Sequence, residues 1–186
     1  MRKNLDAKAY VYPQPVFIIA TYNEDGSMNA MNAAWGCVAD FNKVAIYMAA
    51  SHKTYENITK RKAYTVSMAT SKTVTEADYV GVVSGNKVKN KMDKINWHAV
   101  KSEFADAPII EELPLALECE FESFDEENEL LIGKVVNVSV DDSILDENGK
   151  IDPYKLDPIT YDTVHHTYIT LGKKVGNAFK DGFSIK

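Results

Sequence analysis

Two stretches in the second half of the chain alternate apolar and polar residues with a period of two, and they leave little choice but an antiparallel sheet. From Pro114 onward, Leu115, Leu117, Cys119 and Phe121 alternate with Ala116, Glu118, Glu120 and Glu122, the pattern of a strand with one dry and one wet face. After the DEEN turn at 125–128, Leu130, Ile132, Val136, Val138 and Val140 share one phase while Gly133, Asn137 and Ser139 share the other. So short a connection cannot carry a parallel crossover, so the second strand must run antiparallel to the first.

The rest of the chain supplies more strands and few helices. Pro15 to Thr21 (PVFIIAT) is β-branched and aromatic, and the turn-forming NEDGS at 23–27 folds it back into another extended segment. Lys43–Ala50 and Ala63–Thr70 are further strands, as is HHTYITLG at 165–172. Between 51 and 62 the spacing of Tyr55, Ile58 and Arg61/Lys62 suits a short helix, and Val74, Ala77, Val80 and Gly81 or Val83 suit another over 73–83. Residues 84–112 read mostly as loop. No repeat or low-complexity linker divides the chain, so one domain over residues 1–186 is expected. Many short strands point to a closed or nearly closed barrel, which removes exposed sheet edges.

Charge and motif content exclude several functions. A net charge of -6 and a pI near 5.2 oppose general nucleic-acid binding, which needs a positive surplus. No apolar run approaches the ~20 residues of a membrane span. The opening MRKNLDAKAY has no apolar stretch after its basic residues, so a cytoplasmic location is expected. Cys37 and Cys119 lie far apart without a CxxC partner, which suggests buried free thiols. Dinucleotide, P-loop, zincin and serine-hydrolase motifs are all missing. His165 and His166 are neighbours in a strand-like segment, where they would point to opposite faces, so no metal site is expected and both read as structural or surface histidines.

Two segments carry the functional signal. In NAMNAAWGCVAD at 29–40, small residues and amides occupy a place where a core strand would carry branched side chains. Such a strand either packs tightly on a helix or admits a flat ring system to its backbone, with Trp35 alongside. The SHKT sequence at 51–54 falls where a strand ends and a helix begins, with Ser51 or Thr54 as candidate caps. A helix start offers free N–H groups and partial positive charge to a phosphate, or else is simply capped. The acidic run Glu118, Glu120, Glu122, Asp125, Glu126, Glu127 and Glu129 is a solvated strand face and turn, or a docking patch for a basic partner.

The order NAMNAAW, strand, SHKTYENI, strand YTVSMA, helix, SG and Lys91 closely resembles the flavin reductase-like group with the FMN-binding split barrel, including the flavoredoxins. The resemblance spans nearly the whole chain. It implies an antiparallel split β-barrel of Greek-key type with a few short helices, FMN as cofactor, and a homodimer. It also implies that Asn29, Ala30, Met31, Asn32, Ala33, Ala34 and Trp35 line the isoalloxazine ring, and that Ser51, His52, Lys53 and Thr54 lie at the phosphate. Ser84, Gly85 and Lys91 match the family's SG and lysine element, with Lys91 near the flavin or its phosphate. The family often carries an arginine near the position of His52 and an asparagine at that of Ser67; this chain does not. The activity implied is electron transfer from NADH or NADPH through FMN to a flavin, a metal complex or a protein. The alternative is a flavoredoxin-like carrier without direct nicotinamide turnover, serving a small redox-protein partner. In either case the flavin supplies the chemistry and no catalytic side chain is expected.

Overall fold

A computed structural model of the chain describes residues 1–185. Its first half contains β1 (Phe17–Tyr22), β2 (Met28–Ala33), β3 (Gly36–Asp40), β4 (Lys43–Tyr47), helix α1 (Lys53–Arg61), β5 (Ala63–Met68) and helix α2 (Val74–Val82). The second half contains β6 (Ala99–Lys101), β7 (Pro108–Ile110), β8 (Leu115–Asp125), β9 (Leu130–Val140), the short α3 (Pro153–Leu156), β10 (Ile159–Asp162) and β11 (Thr167–Thr170). Seven strands form one antiparallel sheet in the order β2-β1-β5-β8-β9-β4-β3.

The two edge strands of that sheet are consecutive in the chain. Only Ala34 and Trp35 separate β2 from β3, and the three Cα steps from Ala33 to Gly36 reach at most about 11 Å. Laid flat, seven strands would hold their edges roughly 29 Å apart. The sheet must therefore curl until its edges meet, which makes residues 28–40 a single strand that pairs first with β1 and then with β4. This is the split barrel. At the crossing, a Cβ on Gly36 would come within 2.7 Å of the Phe17 ring and 2.9 Å of the Ala45 carbonyl, so the backbone passes where no side chain fits.

Inside the barrel lie Phe17, Ile19, Val44, Ile46, Tyr64, Val66, Cys119 and Leu131. α1 closes one end, with Ile58 fully buried in this cluster. A second core covers the outer face of β1, where Val16, Ile18 and Ala20 meet Ala30, Ala77 and Val80. Burial on both faces explains why PVFIIAT is continuously apolar rather than alternating.

Several expectations are corrected by the packing. In β9 the inward phase is Leu131, Gly133 and Val135, opposite to the one that the alternation suggested. The Tyr64 side chain fills the space over Gly133, and a Cβ there would lie 1.7 Å from its hydroxyl oxygen. Register shifts in the β8–β9 ladder further break the simple period. Glu118 is not on a wet face: residues 84–112 include the β6–β7 hairpin, and Glu118 is fully buried beneath this region. There it accepts hydrogen bonds from Ser102, Asn137 and Ser139. Burial pushes its pKa up, but these bonds outweigh burial and the net shift is downward. Cys37 is exposed on β3, while Cys119 is buried as expected. His165 and His166 lie in the turn between β10 and β11, not in a strand.

The Tyr64 hydroxyl finds no hydrogen-bond partner among the described residues, so its desolvation is uncompensated. Tyr64→Phe should leave stability unchanged or raise it, whereas Gly133→Ala should cost about 2–4 kcal/mol and cost less in the Tyr64→Phe background. Urea unfolding of the four chains tests this; equal costs in the two backgrounds would contradict the packing described.

Candidate functional site

The strip at 29–35 sorts its side chains by strand phase. Met28, Ala30 and Asn32 turn toward α2. Ala30 is fully buried in the outer core, and Asn32 donates to the Ala77 carbonyl at 2.9 Å with its amide seated over Gly81. Asn29, Met31 and Ala33 turn the other way: Asn29 is buried and donates to Thr54 Oγ1 at 3.0 Å, while Met31 and Ala33 pack on the barrel interior. Tight packing on a helix and backbone left open to a ring, the alternatives posed by the small residues, thus coexist on one strand. The open part is a cleft of about 440 Å³ lined by Met31, Asn32, Ala33, Ala34 and Trp35 together with His52, Gly81 and Val82.

A hollow of about 120 Å³ adjoins this cleft. The two share Met31, His52, Gly81 and Val82, and the hollow adds Asn29, Lys53, Thr54, Ser84, Gly85 and Lys91. It lies at the start of α1. The N-cap is His52, neither Ser51 nor Thr54, and no side chain caps the helix. The first intrahelical bond is that of the Glu56 N–H to the His52 carbonyl at 3.2 Å. The N–H groups of Lys53, Thr54 and Tyr55 therefore precede the helical ladder and need outside acceptors. Such an uncapped start beside a hydroxyl and an ammonium suits a phosphate. Lys53 Nζ bonds Glu56 at 3.0 Å and would have to share that bond with any anion.

Twelve of the fourteen residues singled out in the sequence line these two adjoining spaces. Ala30 does not, because its Cβ faces the outer core. Ser51 does not either: it is exposed, and its carbonyl accepts from the Asn86 side chain. Lys91 lines the hollow, but its ammonium is committed, donating to the Val80 and Val83 carbonyls at 3.0 and 2.9 Å. These two bonds pin the end of α2 and use two of the three ammonium N–H donors. The sequence reading missed the opposite wall of the cleft, which is formed by Tyr47, Asp78, Tyr161, His166 and Tyr168. The His-His pair and its flanking tyrosines were the available signal, read as a plain strand.

Fold and geometry define a split β-barrel of the flavin-protein kind, opened along its seam. The chain belongs to the flavin reductase like domain family, whose match spans residues 9–167. Flavoredoxin of Desulfovibrio vulgaris (Miyazaki F) is 33% identical and superposes with a TM-score of 0.92, covering 98% of this chain and 100% of its own. Flavoredoxin from Methanosarcina acetivorans is 27% identical with a TM-score of 0.89, covering 100% of both chains. An FMN-binding domain of a flavin reductases-like enzyme from Shewanella baltica OS155 shares the fold at 20% identity and a TM-score of 0.77, over 88% of this chain and 89% of its own.

Burial lowers the Lys91 pKa from 10.5 to about 8. Between those values the unfolded chain holds more protons than the folded one, so raising the pH relieves the cost of burying this charge. The stability of the native chain relative to Lys91→Met should therefore rise from pH 8 to pH 10.5 and be flat below pH 8. Denaturant midpoints across that range test it, and a difference independent of pH would contradict it.

Proposed function

We propose that this chain binds FMN, with the isoalloxazine ring along residues 29–35 and the phosphate at the start of α1, and that it works as a flavin-dependent oxidoreductase. The observation that carries this reading is the adjacency of the two spaces: the ring-accepting strip and the uncapped helix start share Met31, His52, Gly81 and Val82 in their linings. When bound, FMN supplies the redox chemistry, accepting a hydride and returning electrons. The protein's part is position and polarity. Thr54 and the first N–H groups of α1 hold the anion. Asn29, buried and bonded to Thr54, fixes that hydroxyl. Asn32, locked over Gly81, presents a fixed amide to the ring edge. Trp35, 56% exposed at the seam, can cover the ring against water.

NADH or NADPH is the proposed electron donor, and a flavin, a metal complex or a protein the acceptor. A second reading, an FMN electron carrier that does not turn over nicotinamide, is favoured by the likeness to two flavoredoxins. Of the acidic run, Glu118 is buried and Glu122 is paired with Lys43, so a basic partner would meet Glu120 and the carboxylates at the β8–β9 turn. A homodimer is supported by the edge strand at the seam, where Val38 is 81% exposed and Phe41 fully exposed. No helix among the described residues is long and apolar enough to cross a membrane.

Thr54→Ala and Lys53→Ala should each weaken FMN retention by about 1–3 kcal/mol with the fold intact, and Trp35→Ala by more. Equilibrium FMN titration reads this, and unchanged affinity in all three variants would mean that the pocket is elsewhere. Anaerobic NADH or NADPH should bleach the bound flavin if the chain is a nicotinamide-driven reductase; bleaching by neither leaves the carrier reading. Sedimentation should give twice the chain mass, reduced to a single chain by Phe41→Asp, and a monomeric native chain would contradict the dimer.

A further inference from the structure

We infer that the C-terminal arm, residues 172–185, is a dimer clasp: it stands off its own body and packs its apolar side chains on the exposed β3 edge of a second copy of this chain. This inference deepens the homodimer reading and rests on it.

The arm lies past the end of the family match at residue 167 and past the last strand, β11, which ends at Thr170. Every residue from Leu171 to Ile185 is exposed. Among the described residues, no hydrogen bond joins 172–185 to the rest of the chain; those the arm makes are its own. It is nevertheless folded. The N–H groups of Lys180 and Asp181 donate to the Asn177 carbonyl at 3.3 and 3.2 Å. The Asp181 carboxylate in turn accepts from the Asn177 N–H at 2.8 Å and from its side-chain amide at 3.3 Å. Gly176 passes so close that a Cβ there would lie 2.8 Å from the same carboxylate. Phe179 takes a left-handed φ of 61°, which bulky side chains rarely adopt. This turn displays Val175, Phe179, Phe183 and Ile185, each at least 85% exposed. Ordering the arm costs chain entropy, and four apolar side chains left in water return none of it. A surface outside this body must supply the burial.

The chain carries a surface of matching character. β3 ends the seven-stranded sheet, with β4 as its partner on one side and no strand on the other among the described residues. An edge of this kind invites a second chain. Val38, 81% exposed, and the fully exposed Phe41 stand on it with the exposed Asp40 between them. Charge favours the same match. Residues 173–186 hold four lysines and one aspartate, a net +3 in a chain of net -6, so residues 1–172 carry -9. A basic, apolar arm therefore complements an acidic body with an apolar edge. Exchange of identical arms between two copies is reciprocal, so it closes as a two-fold pair and leaves neither arm bare.

Sedimentation of the full chain, of a chain ending at Gly172 and of the Phe179→Asp/Phe183→Asp double variant tests the clasp. Both altered chains should keep the native circular-dichroism spectrum, because the arm is not part of their core, while the dimer dissociation constant rises at least tenfold in each. Crosslinking reads the position of the arm. Cys37 is exposed on β3 and Cys119 is buried, so Val175→Cys and Phe179→Cys each create one new surface thiol to pair with Cys37 under diamide oxidation. At least one of them should give a disulfide-linked dimer that disappears on reduction and in the Cys37→Ser background. An equally tight dimer in the truncated chain, a disulfide confined to one chain, or no crosslink from either position overturns the clasp and leaves the homodimer reading standing. A full chain that sediments as a monomer removes the homodimer reading and the clasp with it.

Discussion

One strand, residues 28–40, belongs to both edges of the same sheet. Its first half pairs with β1 and its second with β4, and the link between them is too short to let the edges stand apart. Curvature of the sheet, closure of the barrel and the seam all follow from this single connection. The seam also explains the local chemistry: a strand that leaves one partner for another exposes backbone where it crosses, and at the closest approach it needs a glycine. Gly36 is therefore demanded by the fold, and the cleft opens beside it.

The two helices convert that opening into a shaped site. α2 lies against one phase of β2 through Gly81 and Asn32, while α1 plugs the end of the barrel and points its uncapped start at the other phase. The hydrogen bond from Asn29 to Thr54 joins strand to helix at the place where their functions meet. Lys91 adds stiffness by satisfying carbonyls at the end of α2, which would otherwise be orphaned beside the hollow. Rigid elements thus surround the cleft on three sides, a favourable setting for a cofactor that needs positioning more than chemical assistance.

Much of this was legible from residues alone. The strand character of PVFIIAT, the helix at Tyr55 and Ile58, and the helix at Ala77 and Val80 follow from periodicity and reappear within a residue or two of their expected bounds. The joined strip and helix start were legible through resemblance, because a short NAMNAAW and a common SHKT are each ambiguous. What failed did so for physical reasons. The phase of β9 was misread because the glycine that looks outward is the one crowded by Tyr64, a contact between strands far apart in sequence. Glu118 looked solvated because alternation cannot announce a hairpin that later covers it. The place of His166 in the cleft wall was hidden because a left-handed residue closing a hairpin turn reads locally as strand.

A crystal structure of the chain with FMN tests the central claim most directly. The account requires the phosphate within hydrogen-bonding reach of the Thr54 hydroxyl and the first N–H groups of α1, with the ring lying along Met31 to Trp35. Flavin density lying away from the seam, or a phosphate held elsewhere while the start of α1 faces solvent, would contradict it.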